Sequence, residues 1–226
     1  MTYKELINEV LIRLREDTIH SAEWAADKTL NLATGGVSDY QKMIGSLVND
    51  SKKNIESYHD WLNLRVSVNI ATVAGTKEYN LNSGQEVKVM TVINQSTGNN
   101  LVQVSRQYMN SLKYPTEATG EPMYYAFNGT DSSNNLKIEV SPIPTDAQTI
   151  TFDIVKPQSN LELPGDVLKV PEQPVILGAW ARAVSERGED GGTQTSVIAL
   201  EVKESLNQAI IRDSGNVQYE TDWYIN

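Results

Sequence analysis

The chain has 226 residues, 39% of them hydrophobic, and a formal net charge of -10. With no cysteine and two histidines, it has no thiol nucleophile, disulfide framework, Cys-type zinc site, iron–sulfur cluster or histidine-rich metal centre. A pI near 4.7 argues against general nucleic-acid binding, because duplex DNA selects basic faces.

At roughly 150 residues per domain the length predicts one large domain or two small ones. No run of about 18 apolar residues occurs, so no membrane partner is expected. The opening MTYKELINEV reads as a helix start rather than a signal peptide. Its stripe is Tyr3, Leu6, Ile7, Val10, Leu11 and Leu14, and Thr2 with Glu5 makes a capping box. Residues 17–37 lack clear periodicity and read as a connector. Ser38 and Gln41 make a second capping box. The apolar face behind it runs Tyr40, Ile44, Leu47, Val48, Ser51, Ile55, Tyr58 and Leu62, predicting a helix roughly 35 Å long. Asn49, Asp50, Lys52, Lys53, Asn54 and Glu56 are assigned to its solvated face.

From Val66 the period changes to two, which is the pattern of half-buried strands. Further short runs follow at 78–81, 87–94, 100–104, 123–127, 136–140 and 149–155, separated by turn residues such as Asn128-Gly129. The inward set is Val66, Val68, Ile70, Val87, Val89, Ile138, Val140, Ile150, Phe152 and Ile154. A helical turn is expected within 105–112. Helices resume after Pro171, with Pro174 in a first turn, a stop at Arg187-Gly188 and a last helix over about 193–212. Its apolar face is Ile198, Val202, Leu206, Ala209 and Ile210. The order predicts an α+β fold: a helical bundle from both terminal segments with an inserted antiparallel β-sandwich or barrel. The expected divisions are 1–65 for the N-terminal helices, 66–157 for the β domain, 158–213 for the C-terminal helices and 214–226 for an extended tail.

No catalytic constellation stands out. Ser57, His59 and Asp60 sit too close along one helix to face each other, and read as a solvated flank. His20 and His59 lack a third ligand of their kind. Asp131 and its polar neighbours miss the calcium-loop spacing. Glu189 and Asp190 form an acidic Gly-rich loop, exposed or lumen-facing, rather than an acid–base pair. Residues 183–226 hold eight acids and three bases, a net -5, half the charge of the chain. The segment QYETDWYIN places Tyr219, Trp223 and Tyr224 close together, spaced too irregularly for an amphipathic helix. The readings are a tail folded on its own bundle or an anchor on another chain, since Tyr and Trp concentrate at interface hot spots.

Three stretches are more specific. Gly120-Glu121-Pro122-Met123-Tyr124-Tyr125 fits a G-x-P-x-x-Y strand start, and LKIEVSPIP over 136–144 fits a slightly stretched L-x-[IL]-x-P-x-P. LKVPEQPVILGAWARA over 168–183 fits a helix returning to a bundle. These resemble the head-to-tail adaptor family of tailed bacteriophages (connector, or tail tubular protein A-like). The resemblance implies a non-enzymatic virion protein without cofactor, located at the portal vertex and assembled in the host cytoplasm. It implies a ring of twelve copies between portal and tail, touching portal protein and a downstream nozzle or tubular tail protein. DNA would pass through without specific binding. Tyr219, Trp223 and Tyr224 are the candidate portal-docking residues. A receptor- or carbohydrate-binding β-sandwich module of a tail stays open, as does a carboxylate hydrolase.

Overall fold

The computed structural model describes residues 1–20, 24, 37–81, 84, 86–188 and 193–215. The chain forms two compact units, one from Met1–Asn63 with Gln158–Asn226 and one from Leu64–Pro157.

The first unit is helical. Helix α1 (Tyr3–Arg13) and helix α2 (Asp39–Tyr58) both start in complete capping boxes, Thr2 with Glu5 and Ser38 with Gln41. In each box two N–H groups orphaned by the helix start gain side-chain acceptors. Helix α2 stops at Tyr58 because His59 is extended, so it is shorter than its apolar pattern suggested. Tyr58, expected on the packed face, is 64% exposed, and Leu62 belongs to a separate 3-10 turn, Leu62–Leu64. Trp61 takes up the burial beyond the helix end; its indole N–H donates to the Ile55 carbonyl at 2.9 Å.

Helix α4 (Glu172–Arg187) packs on α1 and α2, and its left-handed C-cap is Gly188, φ 64°. At its crossing with α2, Ser51 donates to the Val175 carbonyl at 2.9 Å. A Cβ at Gly178 would meet the Ser51 hydroxyl at 2.3 Å, so glycine sets this close approach. Helix α5 (Thr193–Ser214) lies against α4 and buries Ile198 and Leu206.

The second unit is a sandwich of two four-stranded sheets. Strands β1 (Arg65–Ala71), β8 (Thr149–Val155), β3 (Lys88–Asn94) and β4 (Asn99–Asn100) form one, in that order. Strands β2 (Glu78–Asn80), β7 (Leu136–Ser141), β6 (Tyr124–Thr130) and β5 (Val102–Gln103) form the other. All pairings are antiparallel except β5 with β6. The ends of the unit meet: Lys156 N–H donates to the Leu64 carbonyl at 2.9 Å.

One cluster joins the two sheets, including Ile70, Val92, Leu101, Tyr125, Ile138, Val140, Ile150, Phe152 and Ile154. Tyr125 meets Phe152 edge-on at 5.7 Å between sheets. The expected inward set is buried or half-buried here with one correction. Val66 shares a face with its partner Ile154 but is 43% exposed, because β1 is an edge strand with no further strand beside it among the described residues. The run at 100–104 is also not one strand. Its ends belong to different sheets, and the chain crosses between them at buried Leu101. Helix α3 (Arg106–Ser111) is the expected helical turn; it buries Met109, and its Tyr108 ring meets Tyr124 at 5.9 Å.

Phe152→Ala is expected to lower stability by about 3–5 kcal/mol, read as a drop in denaturant midpoint. Gly178→Ala should cost about 1–3 kcal/mol by overpacking against Ser51, and Gly178→Ala with Ser51→Ala should recover part of that loss.

Candidate interaction surfaces

The expected catalytic and metal candidates separate in space. The Ser57 hydroxyl donates to the Asn54 carbonyl at 2.7 Å and stays on its own helix. His59 is no solvated flank: its Nε2 lies 3.0 Å from an Asp213 carboxylate oxygen, and its ring meets Trp61 edge-on at 4.9 Å. The same Asp213 oxygen accepts the Leu62 N–H, so His59 and Asp213 tie the end of α2 to the end of α5. Asp131 closes its own loop. Its Oδ1 accepts the N–H groups of Ser133 and Asn135 at 2.8 Å each, and the Asn135 bond foremost holds its carboxyl below the usual range. His20 borders a cleft of about 420 Å³ with Glu16, Asp17, Tyr40, Gln41 and Arg187. In it Arg187 pairs with Glu16, donates to the Tyr40 hydroxyl at 2.8 Å and lies 4.9 Å from that ring's centre. Among the described residues no group of three or more His, Cys, Asp or Glu side chains is placed to hold a metal ion. Glu189, Asp190, Tyr219, Trp223 and Tyr224 lie outside the described residues.

Two buried charge clusters were not foreseen. The first corrects the solvated face assigned to α2. Asn49, Lys52 and Glu56 recur at helical spacing and grip the chain as it returns at Gln158. The Asn49 amide donates to the Leu161 carbonyl at 3.0 Å and accepts the Leu161 N–H at 2.8 Å. Lys52 has no exposed surface; its ammonium donates to Glu56 at 3.2 and 3.3 Å and to the Gln158 carbonyl at 2.6 Å. Glu56 accepts the Gln158 N–H at 3.2 Å. Burial pushes the Lys52 ammonium below its ordinary value and the Glu56 carboxyl above its own, while their mutual attraction opposes both shifts. A hydrophobic-pattern reading assigns Lys and Glu to water, so only the returning backbone, distant in sequence, explains their burial.

The second cluster is in the β unit. Glu139, alternating with inward Ile138 and Val140, should face water, yet it is 1% exposed beneath the α3 region. Arg106 pairs with it, Lys113 lies at 2.9 Å and Lys77 at 3.8 Å. Lys77 also bonds Glu117 at 2.9 Å. Burial would raise the Glu139 carboxyl, but the bonds from Lys113 and Arg106 outweigh it and hold the group below the carboxylate range.

The remaining surface features suit contact with other chains rather than chemistry. Val102 and Met123 are over half exposed and lie beside the Tyr108–Tyr124 pair; Val197, Leu200 and Ile211 are exposed along α5. These are aliphatic and aromatic groups, and Tyr and Met are enriched at protein interfaces.

A comparison with protein families finds the SU10 adaptor protein family matching residues 1–222. The chain belongs to the SU10 adaptor family. The resemblance to phage head-to-tail adaptors is thereby borne out, and an SU10 adaptor is a component of the virion. Membership implies contact with portal and tail proteins. A comparison with curated proteins finds no match. No helix among the described residues of this adaptor is long and apolar enough to cross a membrane.

Lys52→Met should cost about 3–5 kcal/mol, because Glu56 would stay buried without its cation, and Lys52→Met with Glu56→Leu should recover most of it. The Glu139 carboxyl is depressed from 4.5, so its contribution is complete above that pH and is lost as pH falls through the folded value. Urea midpoints should therefore favour the native chain over Glu139→Gln at pH 7, and the gap should narrow as pH falls below 4.5 and through the depressed folded value.

Proposed function

We propose that this adaptor forms a ring of twelve copies between the portal and the tail of a short-tailed bacteriophage, with DNA passing through the lumen. The family match over residues 1–222 carries the reading. The helical unit supplies the portal-binding surface, and the sandwich supplies the contact with the next tail protein, nozzle or tubular. The role is structural, without cofactor or catalysis. The net charge of -10 supports passage of DNA, because an acidic wall keeps the polymer from adhering. Glu189 and Asp190 are candidates for that wall. Tyr219, Trp223 and Tyr224 are anchoring residues whose first candidate partner is the portal. The same charge repels neighbouring copies, so the isolated chain is a monomer or weak oligomer and the portal templates the ring.

Light scattering of the full chain, with and without a portal ring, tests this. The expected result is a low mass alone and twelve copies added per portal ring. Absence of portal binding would overturn the assignment. A stable twelve-copy ring without portal, insensitive to salt, would remove only the template requirement.

A further inference from the structure

Strand β1 is the longest strand at a sheet edge and pairs with β8 alone among the described strands. Its pairing fixes which backbone groups are spare. Lys156 N–H donates to the Leu64 carbonyl and Thr72 N–H to the Gln148 carbonyl, so even-numbered positions bond to β8. Ser67 and Asn69 therefore turn N–H and C=O toward the open edge. Edges of this length are usually guarded by proline, a bulge or several charges, because they template pairing with another chain. Here β1 reads RVSVNIA, with Arg65 as its sole charge and no proline. Its inward face is also incompletely covered, with Val66 43% exposed and Val68 half-buried.

The segment after α5 has the complementary pattern. Over residues 217–226, Val217, Tyr219, Thr221, Trp223 and Ile225 alternate with Gln218, Glu220, Asp222, Tyr224 and Asn226. This period of two, in residues that favour strands, is the pattern of an amphipathic strand. Laid beside β1, the apolar set would continue the face of Val66, Val68 and Ile70, and the acidic set would lie on the face of Arg65. Donor and acceptor on one chain make a head-to-tail contact, which closes into a ring when the rotation between copies allows.

We propose that residues 217–226 of one copy pair as an added strand with the open edge of β1 on the neighbouring copy, locking the ring. This rests on the ring reading and assigns the tail a partner other than the portal.

Two preparations that differ in which half they lack test it. A chain truncated after Gly215 keeps the edge and loses the donor. Asn69→Pro keeps the donor and blocks the edge, at a position where proline removes no backbone bond to β8, although the side-chain bond that Asn69 accepts from Thr151 is lost; Ser67→Pro, which gives up the side-chain bond to Asp153 instead, serves as a second variant should Asn69→Pro fail to fold. Sedimentation at high concentration should show that the two associate one-to-one when mixed and not when separate. In the portal-bound ring, amide exchange at Ser67 and Asn69 should slow at least ~10-fold relative to the free chain, since paired amides exchange only through local opening. A mixture that stays monomeric, or a ring in which both amides exchange as in the free chain, overturns strand exchange. Protection of residues 217–226 in such a ring would make the portal their partner. If no ring forms on the portal, the ring reading falls, and the one-to-one association still decides strand exchange.

Discussion

The helical unit depends on how a chain that leaves it at Asn63 is captured when it returns at Gln158. Extended backbone arriving at a helix surface brings N–H and C=O groups that need partners once water is excluded. Asn49, Lys52 and Glu56 supply them, the first through a reciprocal amide pair with Leu161 and the others by enclosing the Gln158 peptide. The returning segment then satisfies α1 in turn: Tyr3 N–H donates to the Asp166 carbonyl and Lys4 N–H to that of Pro164. Two helices and a loop are thus joined through polar groups, around an apolar core of Leu6, Ile7, Val10, Ile44, Val48, Val175 and Ala179 to which α4 contributes the last two. A buried ion pair is weak evidence for added stability, since apolar replacements of similar volume often do as well. What this pair contributes is position: the carboxylate and ammonium fit the Gln158 peptide in one register.

Glu139 has the same role in the sandwich. A sheet face not packed on the other sheet would ordinarily be solvated. Here a six-residue helix, too short to hold itself together, lies over it, and a buried carboxylate draws in cations from both ends of that helix region. Arg106, Lys113 and Lys77 reach this carboxylate from partly exposed positions, so only the acid is withdrawn from water.

What the sequence reveals follows from whether the cause is local. Capping boxes, the Gly188 stop, the period-two strands other than the run at 100–104, and the helix after Pro171 are decided within a few residues, and all of these are present in the fold. The sandwich core was legible because alternation forces Ile150, Phe152 and Ile154 to one face. Burial of Lys52, Glu56 and Glu139 was not legible, because the groups that bury them lie far along the chain or under a separate helix. The exposure of Val66 was hidden for the reverse reason: alternation states which face a residue takes, not whether its strand has a neighbour. The candidate docking residues were legible only as composition, Tyr and Trp crowded into a short segment.

The hydrogen bond between Lys156 and Leu64 gives the sandwich a property that matters for how the chain folds. The points where the chain enters and leaves it are adjacent, so to the helices the whole sandwich is a loop whose ends are already held together. Closing an unstructured loop of that length would cost about 4 kcal/mol in chain entropy. A sandwich that folds first removes most of that cost before the helices assemble. For the same reason a different β unit with equally close ends would meet the same chain-closure requirement between Asn63 and Gln158.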